Sequence, residues 1–386
     1  MSEKGENINK KKLFLFYFVA LLLFLFIIEL LGRIAWRLAV EKVVLNPSAV
    51  DMSHLIMDDE HLGYLLKRND CTHNIPYGRM DNTADWADTA PTWSLCTNSR
   101  GFRGDEFQSD KSPDTFRIVC MGDSHTMGES VEIEQTYCSR LKDYLVAKGC
   151  IPNKKIEAIN AGVSGYSSFQ GVIAYLKYVR DWRPDLVIVA YGSNDAMPLK
   201  HAFRTVRDRF IYKLPGEENI EEFYRFPKTG IAKVIFLAKR VLSSPPTDSG
   251  LMEGNRSTIE EFSENIAFLV NKIRADGAKV ILLANIIKDN DYIIAEKEIA
   301  EREKIPIIET ISLFKTAVGK IHSGEIYQKE RAEIDSWLKP DKPASRDWMS
   351  KYVTNDNVHP NHVGHDIIAR EITKVICGEK VWGKDK

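Results

Sequence analysis

The sequence has no surplus of basic residues. Its 53 lysines and arginines stand against 54 aspartates and glutamates, giving a net charge of −1 and a pI near 6.8. A chain that neutralises phosphate backbones needs the opposite balance, so nucleic acid is not expected as a partner. There is no internal repeat and no low-complexity tract, which sets repeat architectures aside. The His-Glu-x-x-His pattern is absent. His359, His362 and His365, spaced three and three apart, cannot all face one side of a helix, so no metal centre is expected. Six cysteines are present, but none pairs with a histidine within a motif, which argues against a cysteine nucleophile. What remains is an ordinary globular composition, 44% hydrophobic and 28% charged over 386 residues, enough for one large or two modest domains.

One segment departs from that composition. Lys10, Lys11 and Lys12 precede an uncharged run from Leu13 to Ile28, and after Glu29 the residues Leu30, Leu31 and Gly32 extend it to a bilayer-spanning length. No small-x-small cleavage site follows, only Arg33-Ile34-Ala35-Trp36-Arg37, so an uncleaved anchor over residues 13–32 is expected rather than a signal peptide. Lysines 4, 10, 11 and 12 slightly outnumber Arg33, Arg37 and Lys42. The positive-inside rule then makes residues 1–12 a cytoplasmic tail and puts the rest outside the cytoplasm. Disulfides are permitted there. Cys71 with Cys96 is the first candidate pair and Cys150 with Cys377 the second, while Cys120 and Cys138 read as small buried hydrophobes.

Residues 33–114 read as a stalk and lead-in, irregular over 71–105. From 116 onward short apolar runs alternate with helical patterns, the signature of a parallel sheet wrapped by helices. The spacing predicts strands over Arg117–Met121, Ile156–Asn160, Leu186–Tyr191, Val280–Asn285 and Pro306–Glu309. Helices are predicted over 134–148, 168–181, 257–275, 293–302 and 362–376. The three earliest of these strands end on polar motifs: Gly122-Asp123-Ser124, then Asn160-Ala161-Gly162-Val163-Ser164-Gly165, then Gly192-Ser193-Asn194-Asp195. A fourth motif, Asp356-Asn357-Val358-His359, lies near the C-terminus. Ligands in open α/β sheets bind beyond the carboxyl ends of strands, which is where three of the four fall.

These motifs supply what an acyl-transfer site needs: a hydroxyl, a base to take its proton, a carboxylate to orient the base, and donors for the oxyanion. Each alone is weak. Together and in this order they resemble the signature blocks of the SGNH (GDSL-type) hydrolases over roughly residues 115–376. The resemblance implies a flavodoxin-like three-layer α/β/α domain over 115–380, with a five-stranded parallel sheet in the order 2-1-3-4-5. It makes Ser124 the nucleophile, His359 the base and Asp356 its partner. The N–H groups of Ser124 and Gly165 and the side chain of Asn194 become the oxyanion hole, and no cofactor is needed. The implied reaction is hydrolysis of acyl esters, O-acetyl groups on a cell-surface polysaccharide fitting the anchor best. An O-acetyltransferase, a lipase or thioesterase, and an inactive glycan-binding scaffold are the alternatives. Block one departs from the family where His125 replaces the small or apolar residue of many members.

Each residue also has a plainer reading. Ser124 could be only a helix N-cap, His359 a loop histidine, Asn194 a turn residue and Gly165 a left-handed turn position. Gly162 is expected to allow close backbone approach. Asp123 and Asp195 are expected to bind loop amides, with Asp195 in reserve for Asp356. His125 either lines the pocket or faces solvent. Residues 197–256, with Arg204, Arg207, Arg209 and Lys213, break the alternation and read either as a partial lid or as a hairpin packed on the flank.

Overall fold

The computed structural model describes residues 3–41, 56–59, 62–77, 85–197, 254–285, 291–345 and 350–378. The expected insertion over 197–256 therefore lies almost wholly outside the described residues. The N-terminal part is one helix, α1 (Glu3–Glu41). Its stretch Lys12–Ile34, 23 residues of mean hydropathy 2.8, is long and apolar enough to cross a membrane. Glu29, the charge that interrupts the apolar run, is paired one turn on with Arg33 at 2.9 Å.

The second compact unit, built from residues 47–202 and 254–386, contains the sheet. Its strands are β5 (Thr115–Gly122), β6 (Lys155–Gly162), β7 (Leu186–Ala190), β8 (Lys279–Ala284) and β9 (Ile307–Glu309). They run parallel in the order β6-β5-β7-β8-β9, the predicted 2-1-3-4-5. Every residue of β5 and β7 is buried, which is why β7 reads as an unbroken apolar run and β5 as an apolar run interrupted by Arg117, rather than as alternating strands. The flanking helices are α3 (Tyr137–Lys148), α4 (Ser168–Lys177), α5 (Ile259–Ala275), α6 (Asp291–Glu303) and α9 (His362–Cys377). Thr136 caps α3 and Thr258 caps α5, each through its side-chain oxygen. The predicted helix over 168–181 breaks at Tyr178 into a separate tight turn, Val179–Trp182. Two helices, α7 (Thr310–Ser323) and α8 (Gln328–Trp337), fill a region with no predicted element. In α8 only Ile334 is buried, so it offers almost no apolar stripe to find.

The lead-in departs from expectation. Ahead of the sheet stand two antiparallel hairpins, β1 (Ile56–Asp59) with β2 (Gly63–Leu66) and β3 (Cys71–Pro76) with β4 (Thr92–Cys96). The span predicted irregular over 71–105 thus contains a paired hairpin, whose two-residue period is faint because β3 buries only Ile75. Cys71 and Cys96 sit directly opposite in register and are bonded, as are Cys150 and Cys377. The reading of Cys120 and Cys138 as unbonded hydrophobes is corrected. Both are buried, but the start of α3 lies over β5 with 6.2 Å between the two Cα atoms, and the sulfurs are joined.

Arg103, also in the lead-in, is 2% exposed and donates to the carbonyls of Ser94, Met127, Gly128 and Val131 at 2.6–3.0 Å. Its pKa falls to about 10, because burial outweighs the favourable field of Glu132 and Glu134. Three of these carbonyls, those of Met127, Gly128 and Val131, fix the 127–131 loop at the end of the short helix α2 (Ser124–Met127) and tie it through Arg103 to Ser94.

Two histidines of α9 make the fold acid-sensitive. His365 is fully buried, its Nδ1 accepting from the Tyr137 N–H, and burial holds its pKa well below the usual value. Burial, with a further push from Arg140, lowers His362 to about 4. Both protonate more readily in the unfolded chain, where the value is about 6.5, so their stabilisation is complete above that pH and is lost as pH falls toward 4. For His362 the loss at pH 5 amounts to about 2 kcal/mol. The urea midpoint is expected to be lower at pH 5 than at pH 7, by a smaller margin in His362→Gln.

Candidate active site

Ser124, the first residue of α2, directly follows the carboxyl end of β5. Asp123 caps the helix, its carboxylate accepting from the His125 N–H at 3.0 Å. Gly162 ends β6, where an added Cβ would meet the Met127 nitrogen at 2.3 Å, so only glycine lets the strand end approach α2 this closely. The late loop arrives from the other side. Asp356 receives the Val358 and His359 N–H groups on one oxygen at 2.9 and 2.7 Å, while Asn357 takes a left-handed conformation with φ 66°. That tight turn folds the imidazole back onto its own carboxylate.

The result is a hydrogen-bonded chain. Ser124 Oγ lies 2.8 Å from His359 Nε2, and His359 Nδ1 lies 2.7 Å from Asp356 Oδ2. With Nδ1–H donating to the carboxylate, Nε2 is left as an acceptor facing the serine hydroxyl. All three side chains are buried, with Ser124 7% exposed and His359 2%. Burial alone would raise the Asp356 carboxyl, but the field and hydrogen bond of His359, with the two N–H donors, hold it far below the usual carboxylate range. It therefore stays ionised, able to offset the imidazolium that forms when Nε2 takes a proton.

The Ser124 and Gly165 N–H groups make no hydrogen bond among the described residues. Gly165 has φ 78°, and a Cβ there would meet the Tyr64 hydroxyl at 2.7 Å, so it is both a left-handed turn residue and a place of close approach. The Tyr64 hydroxyl donates to the Ser164 carbonyl, and Arg256 donates to that of Gly165 at 2.5 Å. Asn194 Nδ2 donates to Asp123 Oδ2 at 3.2 Å and to the Tyr166 carbonyl at 3.1 Å, so its amide protons already have acceptors.

Asp123 carries more than loop amides. Fully buried, it also accepts from His125 Nδ1 at 2.9 Å and from Asn285 Nδ2 at 3.2 Å. His125 does not face solvent. It is 5% exposed, stacks on the His359 ring at 5.1 Å between centroids, and its Nε2 lies 3.0 Å from the Val358 carbonyl oxygen. The substitution in block one thus joins the serine loop to the histidine loop. Asp195 accepts from the Ser168 N–H and from the Ser168 and Ser257 hydroxyls; its pKa is raised by burial despite these donors. His359 Nδ1 is 2.7 Å from Asp356, the carboxylate for which Asp195 is the reserve.

Sequence reasoning missed Asn285, Tyr64, Arg256 and Glu129. Asn285 follows the carboxyl end of β8, and its polar side chain after an apolar run was the available signal. Glu129 Oε2 lies 3.7 Å from His359 Nε2, the face the serine occupies. Nothing local in the sequence marks it.

A family model for GDSL-like lipases/acylhydrolases matches residues 118–372. The chain belongs to that family. An arylesterase of Vibrio mimicus is 28% identical to this GDSL-family chain over 81 residues, 21% of this chain and 38% of that protein. A two-domain esterase active on acetylated mannans is a structural neighbour at 18% identity and TM-score 0.38, over 67% of this chain and 48% of that one. A catalytic mutant of an acetylxylan esterase from Geobacillus stearothermophilus is 18% identical with TM-score 0.37, over 72% and 100%. The GDSL-family chain thus aligns with less than half the length of the arylesterase and of the two-domain esterase.

Replacing His125 by leucine removes the ring contacts to Asp123 and to the Val358 carbonyl and leaves the main-chain bond to Asp123 in place. A shift of the imidazole of about 1 Å can cost about 100-fold. His125→Leu is therefore expected to lower kcat on an aryl acetate by about 10- to 100-fold with little change in KM. Steady-state kinetics beside a matched circular dichroism spectrum checks this.

Proposed function

We propose that this protein is a serine esterase that removes acyl groups, acetyl foremost, from a polysaccharide at the cell surface. The observation that carries the proposal is the unbroken chain Ser124–His359–Asp356 at 2.8 and 2.7 Å. Ser124 Oγ attacks the ester carbonyl while its proton passes to His359 Nε2. The tetrahedral oxyanion is held by the Ser124 and Gly165 N–H groups and by Asn194, which turns one proton from the Tyr166 carbonyl toward it. Collapse breaks the ester bond, and His359 returns the proton to the leaving alcohol. Water then repeats the sequence on the acyl-enzyme.

The placement follows from two features. The apolar stretch Lys12–Ile34 serves as a membrane anchor, and all six cysteines are paired among the described residues, which suits an oxidising compartment. The catalytic part then faces the envelope, where acylated glycans are found. The polar groups around Ser124, among them Asn194 and Glu129, suit a short acyl chain on a hydroxyl-rich alcohol better than a long lipid chain. A transferase using the same residues is the second reading. It is favoured by the near-complete burial of Ser124 and His359, since transfer to a sugar hydroxyl requires water to be kept out.

Ser124→Ala is expected to abolish both ester hydrolysis and labelling by a fluorophosphonate probe. Asn194→Ala is expected to lower kcat by about 100-fold or more. On p-nitrophenyl esters of increasing chain length, acetate should give the highest kcat/KM, and a preference for octanoate would contradict the glycan reading. Product analysis with an acetyl donor and a glycan acceptor separates hydrolase from transferase.

A further inference from the structure

Glu129 is a carboxylate built into the site that the serine mechanism does not use. Its side chain is about 10% exposed, and Oε2 lies 3.7 Å from His359 Nε2. Its backbone is tightly held. The Glu129 N–H donates to the Ser124 carbonyl at 3.2 Å, and its own carbonyl accepts from Asn355 Nδ2 at 3.2 Å. Gly128 before it and Ser130 after it both take positive φ, 85° and 68°. The buried Arg103 guanidinium grips the carbonyls of Met127, Gly128 and Val131 around it. A non-glycine residue at positive φ and a buried guanidinium both have a cost, and here both serve to hold one acidic residue beside the nucleophile.

The position identifies its partner. When the acyl-enzyme forms, the leaving oxygen must lie within hydrogen-bond reach of His359 Nε2, because that nitrogen returns the proton. A carboxylate 3.7 Å from the same nitrogen borders the alcohol half of the ester, not the acyl half. A carboxylate oxygen accepts hydrogen bonds, so it recognises a donor. Resting on the esterase reading, we infer that Glu129 selects the alcohol: it accepts a hydrogen bond from a hydroxyl on the carbon next to the ester oxygen, which makes the preferred substrate the monoester of a vicinal diol, as in a sugar ring. No proton is passed to Glu129. The hydroxyl stays intact, the C–O bond to Ser124 forms as the proton goes to His359, and that proton leaves with the alcohol when the ester bond breaks.

Two small esters isolate this contact: 2-hydroxyethyl acetate, which carries the neighbouring hydroxyl, and 2-methoxyethyl acetate, which lacks only its donor hydrogen. With the full chain in detergent, the ratio of kcat/KM for the first over the second should be about 10 or more, as expected for a hydrogen bond to a charged group. In Glu129→Ala the ratio should fall to about one. In Glu129→Gln, which keeps the shape but replaces one acceptor oxygen with an amide donor, it should fall severalfold. A role confined to folding or to the imidazole would lower both rates together and leave the ratio unchanged. An unchanged ratio in the variants, or a wild-type ratio near one, overturns the inference. Hydrolysis of neither ester, or hydrolysis that survives Ser124→Ala, sinks the esterase reading instead.

Discussion

The site depends on one buried carboxylate that takes no part in the proton chain. Asp123, wholly removed from solvent, receives the main-chain and ring N–H groups of His125 and the amides of Asn194 and Asn285. These donors come from just beyond β5, β7 and β8, so a single side chain ties three strand ends together. Through His125 it reaches a fourth element, because Nε2 of the same ring lies 3.0 Å from the Val358 carbonyl oxygen beside His359. A buried carboxylate is tolerable only when its lone pairs are met, and here meeting them assembles the site. The hydroxyl and the imidazole come from positions 235 residues apart, and this network closes that gap.

The lead-in completes the arrangement from outside the sheet. Tyr64 of β2 binds the carbonyl ahead of Gly165, Trp86 donates to the Asn355 carbonyl at 2.9 Å, and Arg103 fixes the loop that carries Glu129. Residues before the first sheet strand thus support the Gly165 turn, the histidine loop and the loop after Ser124. The three disulfides fasten the same regions: Cys71–Cys96 within the β3–β4 hairpin, Cys120–Cys138 between β5 and α3, and Cys150–Cys377 between the loop after α3 and the end of α9.

Much of this was legible in the residues. Strands buried on both faces, such as Leu186–Ala190, must be apolar throughout, so their positions show without any partner in view. Motifs at their carboxyl ends mark the crevice for the same topological reason. Asp356 and His359 are readable because a carboxylate three residues before an imidazole can close on it within one turn. The remainder is tertiary. His125 looks like a departure until the Val358 carbonyl is placed beside it. Arg103 looks like part of a turn until four carbonyls converge on it. Glu129 has no local signature at all, since its meaning lies in a distance to a residue 230 positions later. Cys120 and Cys138 read as core residues because burial is what their neighbours report, and only the packing of α3 on β5 brings the sulfurs together.

The isosteric change Asp123→Asn tests the central claim most directly. It keeps the size of the side chain but replaces one acceptor oxygen with an amide donor, set against the donors of His125, Asn194 and Asn285. The account predicts a folded protein with a lower melting temperature, whose kcat and rate of fluorophosphonate labelling both fall by about 100-fold or more, because Ser124 and His359 lose their common anchor. Wild-type kcat and labelling in that variant would contradict it.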